Sequence, residues 1–293
     1  MRRLVLVAVA ATMGCDAPVP DLAQDIETMV AESGAEAVGV YFKNLETGDS
    51  LFLKPDTRVH AASMMKVPVM IQMYRDQEAG LRMMSDSIRV AKSFKSIVDV
   101  STYEIGATND SDSLIYNLLG ERVPRRWLME RMITVSSNLA TNILIEEVDA
   151  RRTTATMREL GADSIEVLRG VEDIKAFDAG LSNSTTARDL GVIFTAIARN
   201  EAANHASCGD MIDVLSRQVF NEGIPLLLPK GIRVAHKTGS ITRIRHDGGI
   251  VYLPEGGSYV LVILTRGIDD SDVADELIAN ISHRVYEHVA GAS

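Results

Sequence analysis

Cysteine is almost absent from this chain, with only Cys15 and Cys208 among 293 residues. No disulfide framework follows from two thiols of which one lies at the extreme N-terminus. Cys208 therefore reads as a small buried hydrophobe rather than a bridge or a nucleophile. No Cys/His cluster has metal-ligand spacing, which argues against a zinc enzyme, and nothing in the sequence implies a cofactor. Positive charge is also in short supply: 30 Lys and Arg face 40 Asp and Glu, a formal net charge of -10. Such a surface repels phosphate backbones, so nucleic acid is not an expected partner. Beyond the N-terminus no apolar run reaches the ~18 residues a transmembrane helix needs. What is present is ordinary globular composition, 46% hydrophobic and 24% charged, in a chain long enough for a substantial core in one or two domains.

The first residues read as an export signal. Arg2 and Arg3 precede an apolar stretch from Leu4 to Met13, and Gly14-Cys15 stands where cleavage would occur. A small residue followed by Cys resembles a bacterial lipoprotein signal, although Thr12 and Met13 depart from its usual pattern. The expectation is residues 1–15 as signal peptide and an exported protein, periplasmic or held on the periplasmic face of the membrane through a lipidated Cys15.

Further on, Leu22, Ile26, Met29 and Val30 recur at helical spacing behind Asp21, a plausible N-cap. Val38, Val40 and Phe42 alternate, a turn follows at residues 46–49, and Leu51-Phe52-Leu53 returns as a hairpin partner. Residues 62 to 200 are mainly helical in pattern. Strand-rich segments come back at 232–236, 249–253 and 259–265, and Ser271-Asp272 opens a last helix with Ala274, Leu277, Ile278, Ile281 and Val285 on one face. This order predicts an α+β fold in which an antiparallel sheet is flanked by terminal helices. One domain over 21–293 is expected, with an α/β lobe from about 21–60 and 201–293 and an all-helical lobe from about 61–200. A cleft between such lobes is a common place for a site.

Three short motifs carry chemistry. Ser63-Met64-Met65-Lys66 places a hydroxyl and an ammonium on one helical face, and a lysine whose pKa is pulled down can take the serine proton. Taken alone, Ser-x-x-Lys occurs by chance about once in a chain this long. Pro68 is expected to bend the helix that follows. Ser136-Ser137-Asn138 offers a hydroxyl to relay a proton and an amide to hold a carbonyl, but a polar turn or N-cap would look the same. His236-Lys237-Thr238-Gly239-Ser240 ends a strand. There Lys and Thr can bind a carboxylate, and Gly lets substrate approach the backbone.

The combination is specific where each part is not. Ser-x-x-Lys, Ser-x-Asn 73 residues later and Lys-Thr-Gly a further 101 residues on resemble the penicillin-recognising serine hydrolases, among them the class A β-lactamases and penicillin-binding proteins. The resemblance extends from about residue 24 to the C-terminus. It implies a two-lobed β-lactamase/transpeptidase-like fold, no metal and no cofactor, a small-molecule β-lactam or peptidoglycan-peptide substrate, and a monomer. By the same resemblance Ser63 is the acylated nucleophile, Lys66 its proton partner, and Ser136 the hydroxyl that shuttles a proton to the leaving nitrogen. Asn138 binds the substrate amide, Lys237 and Thr238 hold its carboxylate, and the backbone N–H groups of Ser63 and Ser240 form the oxyanion hole. Arg169-Gly170-Val171-Glu172-Asp173 resembles the opening of the loop that carries the deacylating Glu, and Asn183-Ser184-Thr185-Thr186 its end. Glu172 is the candidate base, with Asp173 as the alternative carboxylate.

Several positions depart from the class A pattern. Ser137 replaces the Asp of the second motif, and no Pro follows Glu172. After Lys-Thr-Gly the segment Arg243, Arg245, His246 and Asp247 leaves open which group meets the carboxylate. His236 and His246 read as packing residues, Met64, Met65, Met70 and Met73 as core filler, and the charges from Arg122 to Arg131 as a solvated face. The expected function is a serine β-lactamase. A D-alanyl-D-alanine peptidase is the rival within the family, and a non-catalytic cell-wall-binding module the rival outside it.

Overall fold

Side chains along Ala37–Asn44 (β1) alternate between two apolar environments, so this strand must be covered on both faces. Residues 21–291 are described by the computed structural model; the segment with Arg2, Arg3 and Cys15 expected as an export signal lies outside the described residues. Helix α1 (Leu22–Glu32) is capped by Asp21, whose side chain accepts the N–H of Ala23. Strand β1 is followed by β2 (Ser50–Leu53), and the sheet is completed near the C-terminus by β3 (Arg233–Ile241), β4 (Ile244–Tyr252) and β5 (Ser258–Arg266). The strand order is β2-β1-β5-β4-β3, antiparallel throughout. Between the two groups of strands run α2 (Lys66–Glu78), α3 (Arg125–Thr134), α4 (Asn138–Val148), α5 (Ala150–Glu159), α6 (Ile174–Asp178), α7 (Ala187–Ala198) and α8 (His205–Leu215), and α9 (Ser271–Gly291) closes the chain. Short strand pairs join residues 59–60 to 184–185, 87–89 to 122–124, and 93–95 to 102–104.

One face of the sheet (Val38, Val40, Phe42, Val251, Leu261, Ile263) packs against α1 and α9, including Ile26, Leu277, Ile281 and Val285. The other face (Tyr41, Ala235, Ile250, Val260, Val262, Leu264) joins a larger core with Met65, Met70, Leu139, Leu144, Leu190, Phe194 and Met211 from the helices. Each such side chain removed from water contributes roughly 1.5–3 kcal/mol. Met64, Met65, Met70 and Met73 all lie within this core. Helix α7, inside the segment expected as the helical lobe, lies on the sheet, and its Gly191 leaves the space that the Tyr41 ring fills: a Cβ there would stand 2.3 Å from that ring.

The strands are longer than the sequence indicates. β3 runs through the Lys-Thr-Gly motif to Ile241, and β4 starts at Ile244 rather than 249. Buried polar residues His236, Lys237, His246 and Asp247 interrupt the apolar pattern by which a strand is read. Pro68 does not bend a helix interior. It sits in the first turn of α2, where its missing N–H has no intrahelical partner to lose.

Candidate active site

The residues from 62 to 65 form a 3-10 turn leading into α2, which places Ser63 at the mouth of a cleft and turns Met64 and Met65 inward. Ala62, just before the serine, is held at φ 45°, a conformation costly for a side-chain-bearing residue. His60 secures it, its Nδ1 accepting the Ala62 N–H at 2.9 Å. Burial lowers the His60 pKa, and Arg169 lowers it further, which keeps that nitrogen an acceptor. Gly239 of β3 packs directly on this turn: a Cβ would stand 3.1 Å from Met64 and 3.3 Å from Ala62. The glycine of the third motif therefore lets strand and nucleophile turn meet, in addition to lining the cleft.

Ser136 is held at φ 57° and precedes Ser137, which caps α4 by accepting the N–H of Ala140 at 3.2 Å. The N-cap and relay readings of this motif thus describe adjacent serines. Two lysines converge on Ser136. Lys66 Nζ donates to its Oγ (3.1 Å) and its backbone oxygen (2.6 Å), and to Asn138 Oδ1 (3.0 Å). Lys237 Nζ donates to the same Oγ at 3.0 Å and to the Thr238 backbone oxygen at 2.8 Å. Asn138 Nδ2 donates to the Asn109 carbonyl at 2.9 Å.

Both ammonium groups are fully buried. Burial pulls Lys66 down to about 7, against the upward pull of Asp110. Burial and then the neighbouring Lys66 charge hold Lys237 well below the ordinary lysine range, with Asp247 opposing. At neutral pH this pair thus holds fewer protons than two exposed lysines would, and Lys66 becomes a competent base for the Ser63 proton.

This arrangement makes stability depend on alkaline pH. The unfolded chain keeps these lysines protonated to about pH 10.4, whereas the folded chain releases the Lys66 proton near 7. Between those values the unfolded state binds more protons, so stability rises with pH, by about 1.4 kcal/mol per pH unit from Lys66. Urea unfolding at pH 7.5 and 9.5 should show the rise, and Lys66→Met should show a clearly smaller one. Equal rises in both proteins would mean Lys66 titrates normally in the fold.

Ser63, Ser136, Asn138, Thr238, Gly239 and Ser240 all line one cleft of about 580 Å³. Lys66 and Lys237 are buried, and both are bonded to Ser136 Oγ, which lines the cleft. Of the groups left open after the third motif, Arg245, His246 and Asp247 line the cleft, and Arg245 donates to Ser240 Oγ. Arg243 is engaged elsewhere with Asp269 (2.7 Å), Glu36 (3.0 Å) and the Gly267 carbonyl. His246 is structural: burial drops its pKa to about 4, and it bridges the Thr265 N–H and the His60 carbonyl. His236 lies under the strand, its Nδ1 2.8 Å from Asp247 Oδ1.

Glu172 is half-buried, at φ 63°, and is not among the residues lining the cleft. Its charge acts on Tyr116 and Arg169. Instead of Glu172, the backbone of Val171 is clamped, with its N–H given to Asn142 Oδ1 (2.7 Å) and its carbonyl accepting from Asn142 Nδ2 (2.9 Å). Gly170 leaves room for that amide, since a Cβ would stand 2.5 Å from it. The alternative carboxylate, Asp173, is buried and fully used: it caps α6 through Ala176 N and accepts from Ser96 Oγ (2.8 Å) and Ile97 N (2.9 Å). Asn183 closes the loop neck, binding the Leu168 and Arg169 N–H groups and the Arg169 carbonyl.

Three parts of the site carry no motif signal. They are His60, the Asn142 clamp, and Asp110, which lines the cleft opposite β3. The stretch expected as a solvated face also does more. Arg125 and Arg131 are mostly buried, pairing with Asp86 and Glu147 and with the buried Asp112. Cys208 is buried and burial raises its thiol pKa, as suits an inert packing residue. Among the described residues no cluster of His, Cys, Asp and Glu could hold a metal, and no helix is long and apolar enough to cross a membrane.

Comparisons agree with this geometry. The model described as "Beta-lactamase enzyme family" matches residues 21–289. PBP-A is similar in structure at 27% identity and TM-score 0.78, over 92% of this chain and 96% of that one. A PBP-A variant solved as an acyl-enzyme complex with penicillin G is 28% identical at TM-score 0.77, with the same coverage. A β-lactamase from Sphaerobacter thermophilus shares the fold at 24% identity and TM-score 0.77, over 91% of this chain and 97% of that one. No curated protein sequence matches the chain. With the fold, the three motifs around one cleft and a family match over nearly the whole chain, this protein belongs to the β-lactamase enzyme family, as a serine hydrolase of the β-lactamase and penicillin-binding type.

Proposed function

We propose that this chain opens β-lactams and related D-alanyl amides through an acyl-enzyme on Ser63, and that it clears the acyl group slowly. The observation that carries the reading is the convergence of two buried lysines on Ser136 Oγ beside Ser63. In the acylation step, neutral Lys66 takes the Ser63 proton as Oγ attacks the carbonyl carbon. The oxygen gathers negative charge, which backbone N–H groups of Ser63 and Ser240 would stabilise; losing one such donor typically costs 10²–10³ in rate. Lys66 passes its proton through Ser136 to the amide nitrogen, the C–N bond breaks, and the acyl group stays on Ser63. Water then releases the acid and restores the serine. Penicillin G on a PBP-A neighbour supports the substrate class.

Export and anchoring through Cys15 stand as a further proposal, consistent with a substrate found at the cell wall.

Slow clearance, and hence the peptidase reading over an antibiotic-destroying β-lactamase, is favoured by Glu172. Rapid release needs a base within reach of a water at the ester, yet Glu172 does not line the cleft and Asp173 is committed to packing. Mass spectrometry of the protein mixed with benzylpenicillin should show one adduct on Ser63 persisting for many minutes. Glu172→Gln should leave its lifetime within about threefold, far from the 10²–10⁴ a lost general base costs. Clearance within seconds, slowed tenfold or more by that substitution, would instead establish Glu172 as the base of a β-lactamase.

A further inference from the structure

The loop of residues 106–113 brings one carboxylate to the α4 side of the cleft. Asp110 Oδ1 accepts the Asn138 N–H at 2.9 Å, and Oδ2 accepts the Leu139 N–H at 2.7 Å. The same carboxylate takes the Ser137 hydroxyl and the Tyr116 hydroxyl, each at 3.2 Å. Its loop is itself fixed, because buried Asp112 accepts from Arg131 Nε at 2.7 Å and donates its own N–H to Asp110 Oδ1 at 3.0 Å. Ser111 Oγ ties the loop to the Val135 carbonyl.

Every side-chain acceptor of Lys66 belongs to the segment that this carboxylate grips. Lys66 reaches Ser136 and Asn138, while Asp110 holds residues 137 to 139. Ser136 sits in a left-handed conformation that costs about 1–3 kcal/mol and persists only where its surroundings over-determine it. A carboxylate bound to the first N–H groups of α4 supplies that constraint, and its charge suits the positive end of the helix. Ser137 stands where the class A pattern has an Asp, and Asp110 brings a carboxylate to the Ser137 hydroxyl from a different loop.

We infer that Asp110 is a positioning residue for acylation, holding the Ser136-Ser137-Asn138 turn against Lys66 and supplying the negative charge that Lys66 faces. This rests on the acyl-transfer reading of Ser63. The charged groups around Lys66 are Lys237 from β3 and Asp110; Asp112, Arg131 and, through Tyr116, Glu172 surround Asp110. Removing the Asp110 charge removes the group that favours protonated Lys66, so Lys66 gives up its proton at lower pH.

The test measures benzylpenicillin acylation of Ser63 against pH in the wild-type protein, Asp110→Asn and Asp110→Glu, with a ¹³C NMR titration of the lysines alongside. Wild-type acylation should rise with a midpoint near 7, where Lys66 titrates. Asp110→Asn should acylate about tenfold more slowly at pH 8, since one acceptor at the helix start is lost, a penalty near 1.4 kcal/mol. Its midpoint should move down by roughly one pH unit, and the Lys66 resonance should move with it. Asp110→Glu keeps the charge and should keep the wild-type midpoint. An unshifted midpoint and resonance in folded Asp110→Asn would overturn the inference, because a purely structural residue changes the rate alone. A wild-type protein that forms no Ser63 adduct would instead refute the acyl-transfer reading, and the NMR titration would still decide whether Asp110 controls Lys66.

Discussion

Ser63→Ala should abolish the penicillin adduct and lower amide hydrolysis by about 10⁴-fold or more, the scale on which a lost serine nucleophile is felt. The expectation rests on geometry as well as chemistry. Ser63 lies half-buried on a turn clamped by His60 and packed by Gly239, with Lys66 one turn onward. The hydroxyl bonded to both lysines is that of Ser136, and its Oγ is already occupied by two ammonium donors. Removing the Ser63 hydroxyl takes no partner from a buried group, so thermal stability should change by less than about 1 kcal/mol. Intact-protein mass spectrometry together with a melting curve separates loss of chemistry from loss of fold. Residual turnover near the wild-type rate would sink the covalent mechanism altogether.

Asp247→Ala should cost about 1–3 kcal/mol of stability, the usual consequence of leaving a buried donor without its acceptor. Asp247 and His236 are each 1% exposed. The carboxylate also accepts the Ile224 N–H at 2.8 Å and fills the space left by Gly223, where a Cβ would stand 2.7 Å from its Oδ2. Its loss strands a buried ring nitrogen and a buried N–H and leaves a small cavity, each costing stability in the same direction. The effect reaches the site as well. Asp247 joins β4 to β3 and to the 221–224 loop, and it is the group that favours the charged form of Lys237. Urea titration should show the loss directly, and acylation should slow as β3 loosens under Lys237 and Gly239. A loss below about 1 kcal/mol would mean the His236–Asp247 pair is solvated or easily replaced.

Periodicity and spacing were enough to reveal much of this protein. The alternation of Val38, Val40 and Phe42, the helical spacing after Asp21 and Ser271, and the order of the three motifs each rest on contacts close in sequence or on a pattern that survives in one dimension. They led to the sheet and the two terminal helices, and the resemblance carried by the three motifs pointed to Ser63, Lys66, Ser136, Asn138 and Lys237, of which Ser63, Ser136 and Asn138 line one cleft with both lysines buried and bonded to Ser136. Strand ends were lost wherever buried polar groups replaced apolar ones, because His236, Lys237, His246 and Asp247 find their partners only across strands. The charged run at Arg122–Arg131 reads as solvated for the same reason: Asp112, Asp210 and Glu147, which pair with Arg131, Arg126 and Arg125, lie outside it in sequence.

What the tertiary structure adds is the set of partners around each carboxylate. Glu172 and Asp173 are sequence neighbours, yet Glu172 is half-buried beside Tyr116 and Arg169 while Asp173 is consumed in capping α6 and binding residues 96–97. Asp110, in a loop with no motif, binds the Asn138 and Leu139 N–H groups and acts on Lys66 through its charge. A carboxylate's role depends on burial and on which donors surround it, and both are set by how loops from distant parts of the chain meet.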